Sequence, residues 1–235
     1  LAFNRPSAAE RKAAYTVRVP TSRQDLITAI ETLRVDMDKL IKEENSSLPR
    51  IHFDRSLYLP LLLKGDDQWN AAPPPLEESE AQFVRDLKAY WEKEKDRSLA
   101  GKEVFLLRNL SRGKGVGFFE ERGFYPDFIL WVMDGQSQRI VFVEPHGMLH
   151  AKAYNCDEKA HLWECLPALA QEIGERSGKQ NVILDSYILS ATPYEDLYDR
   201  YGDGQWDKAK FSEKHILFPE RGSNYDYMKI LFGSR

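Results

Sequence analysis

Apolar residues recur with a helical period in three stretches of this chain and form strand-like runs in four others. Between Ser22 and Glu44, Leu26, Ile30, Leu33, Met37 and Leu40 follow one another at steps of four and three, which places them on one stripe of a helix. Thr21 or Ser22 can cap its start. Residues 1–20 show no period and read as irregular, and Ile51–Leu63 is apolar but aperiodic, with Pro60 inside it. The run Ala71-Ala72-Pro73-Pro74-Pro75 reads as an extended linker and sets a boundary between residues 1–70, a helical connector segment, and residues 71–235.

Beyond the linker the pattern sharpens. A helix is expected over about Leu76 to Lys95, burying Phe83, Val84, Leu87, Tyr90 and Trp91, with Glu80 one turn ahead on the same stripe. Val104–Leu107 is a short strand, and a glycine-punctuated stretch follows it. Asp127–Met133 and Arg139–Val143 are β-branched and aromatic runs joined by Asp134-Gly135, a strong hairpin pattern. Asp157–Arg176 reads as a helix with Leu162, Leu166, Leu169 and Ile173 on one face, kinked or started by Pro167. Val182–Leu189 is apolar at nearly every position and is expected to be a buried strand. Thr192-Pro193-Tyr194-Glu195 has the form of a capping box with proline at the first helical position. The tail from Phe211 carries no legible pattern.

Composition narrows the class. With 235 residues and 42% hydrophobic content the chain can bury one sizeable core or a core and a satellite. No apolar run approaches the roughly 20 residues that span a bilayer, and Leu1–Pro6 has none of the regions of a signal peptide. The missing initiator Met suggests a piece of a longer chain. Two cysteines, Cys156 and Cys165, do not make a disulfide framework, so the cytoplasm is the expected compartment. A net charge of −4 excludes a wholly basic nucleic-acid coat. It leaves room for a local basic groove, and Arg97, Lys102, Arg108, Arg112, Lys114 and Arg122 cluster in one stretch.

The hairpin brings the chemistry. A two-residue loop, Gly135-Gln136, sets Asp127 opposite Glu144, Ile129 opposite Phe142 and Trp131 opposite Ile140. Side chains alternate faces along a strand, so Asp127, Glu144 and His146 share a face that is greasy in its middle and acidic at its open end. Cross-strand neighbours lie about 5 Å apart at Cβ, where two carboxylates repel unless a cation lies between them. Hard oxygen ligands of this kind suit Mg²⁺, which keeps several waters beside one or two carboxylates. Such a metal activates water and stabilises charge on a phosphate. Spacing alone also fits two strand ends that simply leave the core for solvent.

Pro126-Asp127 followed by Glu144-Pro145-His146 resembles the PD…(D/E)xK signature of the restriction-endonuclease-like nucleases. The order helix, three strands, helix, strand matches that family's core. Phe105-Leu-Leu-Arg-Asn-Leu110, Gly117-Phe-Phe-Glu120, Phe124-Tyr-Pro-Asp-Phe-Ile-Leu-Trp131 and Ile140-Val-Phe-Val-Glu-Pro-His-Gly147 are similar to the nuclease region at the C-terminus of bacterial type III restriction-like DEAD/DEAH-box helicases. Ser79-Glu80-Ala-Gln-Phe83 resembles the helix that carries an acidic residue ahead of that core. The likeness runs from about Leu76 to Leu197. It implies an α/β fold with a mixed central sheet flanked by helices, behind an N-terminal helical segment. It implies a Mg²⁺- or Mn²⁺-dependent endonuclease acting on DNA in restriction of foreign DNA, joined to a helicase motor in the same polypeptide. By position, Asp127 and Glu144 are the metal ligands, Glu80 is an auxiliary acid and His146 completes the catalytic set. His146 stands where the signature has lysine. A histidine can accept a proton near pH 7 but is a poorer fixed cation, so a decayed module that binds DNA or braces the motor is the alternative.

Lesser candidates are weighed beside these. Arg112, Lys114, Arg122 and Lys152 are candidate DNA contacts, and Lys152 could stand in for the missing lysine. Gly113, Gly115 and Gly117 around Lys114 lack the Gly-Lys-Ser/Thr of a nucleotide-binding loop. His146, His150, Cys156, His161 and Cys165 match no paired zinc spacing. Cys165 reads as a core residue on a helix face, and Trp131 and Trp163 read as core.

Overall fold

A computed structural model describes residues 16–35, 50–51, 61–64, 69–109, 125–148, 153–178, 181–201, 204–220 and 225–233. The chain divides into two compact units. One takes in Leu1–Asp54 and Leu59–Ala81, the other Arg55–Tyr58 and Gln82–Arg235. Among the described residues, no helix is long and apolar enough to cross a membrane.

In the first unit, β1 (Thr16–Arg18) pairs antiparallel with β4 (Asn70–Ala72), and β2 (Arg50–Ile51) with β3 (Leu61–Leu62). Helix α1 (Gln24–Val35) contributes Leu26 to a small core with Leu62 and Trp69. The expected helix thus begins near its cap, and its Met37–Leu40 portion lies outside the described residues. Two expectations change here. Part of residues 1–20 is a strand, and the start of the proline-rich linker is its hydrogen-bonded partner. Three-residue strands are too short to show a period, so only the pairing reveals them.

Helix α2 (Glu78–Glu94) runs out of the first unit into the second. Its stripe of Phe83, Val84, Leu87 and Tyr90 is buried, as its spacing requires. The second unit is built on a five-stranded mixed sheet flanked by helices. The strands are β5 (Lys102–Arg108), β6 (Phe128–Asp134), β7 (Ser137–His146), β8 (Val182–Ser190) and β9 (Ile216–Leu217), in that order across the sheet. The first three form an antiparallel meander; β8 and β9 then add in parallel. The hairpin has the expected register, with Ile129 opposite Phe142 and Trp131 opposite Ile140. Gly135 takes φ 57° at the first turn position, a conformation that costs glycine nothing.

Helix α3 (Leu162–Ser177) makes the crossover from β7 to β8. Leu162 and Leu166 pack on Ile129, Phe142 and Leu184, with Leu169 and Ile173 partly buried beside them. Each fully buried leucine contributes about 1.5–3 kcal/mol. Pro167 sits inside this helix rather than at its start. The residues ahead, Glu158–His161, form a separate 3-10 turn. On the opposite sheet face, Phe83 of α2 meets Phe128, ring centroids 5.2 Å apart. Strand β8 is less uniformly buried than its composition suggests, because its first half runs beyond β9 and leaves Ile183 47% exposed.

The helix start expected at Thr192-Pro193-Tyr194-Glu195 opens α4 (Tyr194–Tyr201). Beyond it lies structure that the sequence does not announce: α5 (Lys208–Glu213) packs beside β9, and α6 (Asp226–Leu231) follows. Leu197, Tyr201 and Phe211 from these helices join Met148, Tyr154, Ala160, Ile188 and Ile216 in one core cluster. That cluster anchors the loop between β7 and α3, which proves important for the site. Helix α6 is tied to the sheet by Arg139, whose Nε donates to the Leu231 carbonyl (3.0 Å) and whose Nη2 donates to Asp185 (2.8 Å).

Candidate active site

Strand β7 is longer than its partner. Pairing with β6 ends at Phe128–Val143, whereas pairing with β8 continues through Glu144–Ile188 to His146–Ser190. Glu144 is therefore held in the sheet on one side and open on the other. Asp127 bends into that opening. Its backbone N–H donates to Glu144 Oε2 at 3.1 Å, and its carbonyl accepts from the Asn109 N–H at 2.7 Å. Asn109 Nδ2 also donates to the Pro126 carbonyl, 2.8 Å away. The Pro126-Asp127 peptide is thus pinned between the end of β5 and the end of β7.

Glu144 is 5% exposed. A carboxylate so withdrawn from water needs a charged or hydrogen-bonding partner. Its Oε1 meets the ammonium of Lys159. Lys159 belongs to the 3-10 turn between β7 and α3, and that turn is itself braced. Asp157 Oδ1 accepts the Lys159 N–H (3.1 Å), and Asp157 Oδ2 accepts the Tyr201 hydroxyl (3.3 Å). Desolvation pushes the Tyr201 hydroxyl pKa well above its ordinary value, with the Asp157 charge next, so it stays a donor. The exit of β7 is fixed as well: Thr192 Oγ1 accepts the Met148 N–H at 2.9 Å, and the His146 carbonyl accepts the Ala191 N–H at 2.9 Å.

His146 lies two residues beyond Glu144 on the same strand face and is exposed. The protein around it nonetheless desolvates the imidazole enough to lower its pKa below the ordinary value. The Lys159 charge pushes the same way, while Glu144 and Asp157 oppose it. The ring is therefore predominantly neutral at pH 7, where it can accept a proton but carries no fixed charge.

The Asp127 backbone, Glu144 and His146 lie at one end of the sheet, with the Asp127 N–H on the Glu144 carboxylate. Glu80 is buried as its stripe position requires, and its Oε2 accepts the Glu77 N–H at 2.7 Å, closing half of a capping box at the start of α2. It belongs to the first unit. Arg112, Lys114, Arg122 and Lys152 lie outside the described residues. Cys165 is exposed rather than core, since the α3 face that packs on the sheet is centred on Leu162 and Leu166. Trp131 packs in the core as expected, whereas Trp163 lies flat on His215, with centroids 4.4 Å apart and planes 5° apart.

Lys159 is the member of the site that spacing does not announce. It stands 15 residues beyond Glu144, and Lys152, its rival in the same connection, has the same residue type. The hint available in the sequence is Asp157-Glu158-Lys159 just ahead of an apolar helix, which reads as a cap and nothing more.

Glu144 is the residue that could hold a hard divalent cation. An ionised carboxylate offers about four lone-pair positions, so the Asp127 amide and Lys159 leave Glu144 with capacity for an ion. A positive charge already rests against this carboxylate, and the Asp127 backbone lies on its other oxygen. Among the described residues, no three His, Cys, Asp or Glu side chains gather into a closed cage. Mg²⁺ does not need one, because it commonly takes one or two carboxylates and retains water.

A second polar cluster lies along β8. Asp185 accepts hydrogen bonds from Arg139 (2.8 Å) and Tyr187 (3.1 Å), and its other oxygen is 2.9 Å from His215 Nδ1. The His215 ring is sandwiched between Trp163 and Tyr187. Burial pushes the Asp185 carboxyl pKa up, but His215, Arg139 and Tyr187 outweigh it and hold the group below its usual range. This cluster ties β7, β8, β9 and α6 together.

No protein-family model, curated protein or solved structure matches this chain.

Proposed function

We propose that the second unit is a metal-dependent endodeoxyribonuclease of the PD-(D/E)xK, restriction-endonuclease-like kind. In this reading it serves as the nuclease portion of a helicase-nuclease that restricts foreign DNA. One observation carries the proposal: the buried Glu144 carboxylate sits at the open end of the hairpin, joined to the Asp127 backbone and to an ammonium. The element order α2, β5, β6, β7, α3, β8 supports it, being the order that the sequence resemblance implies. Asp127 and Glu144 would hold Mg²⁺ or Mn²⁺. When bound, the ion supplies Lewis acidity and a water of lowered pKa.

The chain's own residues do the rest. The Asn109 contacts fix the Asp127 peptide, so the acid need not be ordered when DNA arrives. Glu144 stays withdrawn from bulk water, which strengthens its hold on any cation. Neutral His146, next to the acids, is able to take a proton from water.

The second reading is a nuclease-fold module that binds DNA or braces a motor without cutting. It is favoured by the same neutral His146, which leaves the lysine position of the signature without a charge. Cleavage of supercoiled plasmid with Mg²⁺, Mn²⁺ or EDTA separates the two. The nuclease reading expects metal-dependent nicking that falls by roughly 10²–10⁴-fold in Asp127→Ala and in Glu144→Gln. Salt-sensitive DNA binding with no cutting in any condition favours the module.

A further inference from the structure

We infer that Lys159 is the working cation of this site, occupying the role that the sequence signature assigns to the position of His146. The inference rests on the nuclease reading and deepens it by naming the residue that meets the scissile phosphate. The first support is contact: the Lys159 ammonium touches Glu144 Oε1, the carboxylate proposed to hold the metal. The second is exposure. The Lys159 side chain is 38% exposed and that of Glu144 6%, so the ammonium is open to solvent where the acid is not. The third is rigidity. The turn that carries Lys159 is capped by Asp157, braced by the Tyr201 hydroxyl, and seated on a core that includes Tyr154 and Ala160. A lysine on so fixed a backbone is placed rather than merely nearby.

The chemistry suits an ammonium better than an imidazole. It can donate three hydrogen bonds, so contact with Glu144 does not bar one to a non-bridging phosphoryl oxygen. An ammonium is a compact point charge with rotatable donors, whereas an imidazole offers only its two ring nitrogens. In hydrolysis the oxygen of water bonds to phosphorus and the bond from phosphorus to the leaving sugar oxygen breaks. Water gives up one proton, and the leaving oxygen takes one from solvent. Lys159 keeps its own protons throughout and offsets negative charge on the phosphoryl oxygens as it grows. It resides on the connection after β7 rather than on β7, so its distance along the chain from Glu144 is free to differ from the signature while its place in space stays the same.

The test compares the full chain with Lys159→Met, Lys159→Gln and Lys159→Arg, using plasmid cleavage in Mn²⁺ and calorimetric titration of Mn²⁺ without DNA. The expected result is a loss of cleavage of roughly 100-fold or more in Lys159→Met and Lys159→Gln, with partial recovery in Lys159→Arg. Mn²⁺ should bind several-fold more tightly to Lys159→Gln than to the parent, because the ammonium and the metal compete for Glu144. Lys159→Gln keeps a hydrogen-bond donor and serves where Lys159→Met does not fold. If the parent cuts and Lys159→Gln cuts within about 10-fold of it, or if Mn²⁺ affinity falls, the inference is overturned and the nuclease reading stands. If the parent never cuts with any metal, the nuclease reading fails and the inference falls with it.

Discussion

Removing Lys159 should destabilise the second unit by an amount that the burial of its partner sets. Breaking a fully buried ion pair by deleting one member costs roughly 3–5 kcal/mol, whereas an exposed pair is worth about 0–1. The Glu144–Lys159 pair is asymmetric, with side-chain exposures of 6% and 38%. Lys159→Met leaves the buried carboxylate with the Asp127 amide but without its counter-charge, so a cost of about 2–3 kcal/mol is expected. Glu144→Gln is milder. It preserves an acceptor for the Asp127 N–H and leaves Lys159 partly solvated, for a cost of about 1 kcal/mol. The double variant should then be less destabilised than the two single costs combined, with a coupling of roughly 1–2 kcal/mol. Urea unfolding followed by far-ultraviolet circular dichroism measures all four corners of the cycle. Thermal midpoints should move in parallel, by about 4–12 °C for Lys159→Met. A Lys159→Met protein within about 0.5 kcal/mol of the parent, or a coupling indistinguishable from zero, would refute the reasoning, since the contact would then be a solvated surface pair.

Two further outcomes concern pH. His146 should titrate below the ordinary imidazole range by NMR. The unfolded chain then binds a proton that the folded chain refuses between the folded pKa and about 6.5; stability rises with pH through that window, and His146→Gln should flatten the slope. Asp185 works at lower pH: its contribution is present above the unfolded carboxyl value of about 3.9 and is lost as pH falls through its depressed folded value. Asp185→Asn should cost about 2–4 kcal/mol at neutral pH by stranding Arg139, and it should weaken the dependence of stability on pH below about 4; an unchanged acid limb would count against the cluster's role.

The candidate site was half legible in the residues. The Asp127 backbone and Glu144 could be placed at one end of the hairpin because a two-residue turn fixes its register, which holds as far as Phe128 opposite Val143. The stripes of α2 and α3 were equally open to reading, since Phe83, Val84 and Leu87, or Leu162 and Leu166, declare a buried face within a few residues of one another. Cys165 shows the limit of that logic: its neighbours face the sheet, yet a small rotation leaves it in solvent.

What the amino-acid order determined by itself is thus the set of relations that span a turn of helix or a tight hairpin. Periodicity and turn chemistry act over those distances, and backbone geometry turns them directly into shared faces. The tertiary structure decided the rest. It paired β1 with β4 across more than 50 positions, added β9 to the edge of β8, and folded the turn after β7 so that Lys159 was found against Glu144. None of these has a local period. The last two depend on a partner surface that exists only once the core of Tyr154, Tyr201 and Phe211 has closed, because a loop's course is set by what it packs against and not by the spacing of its own residues.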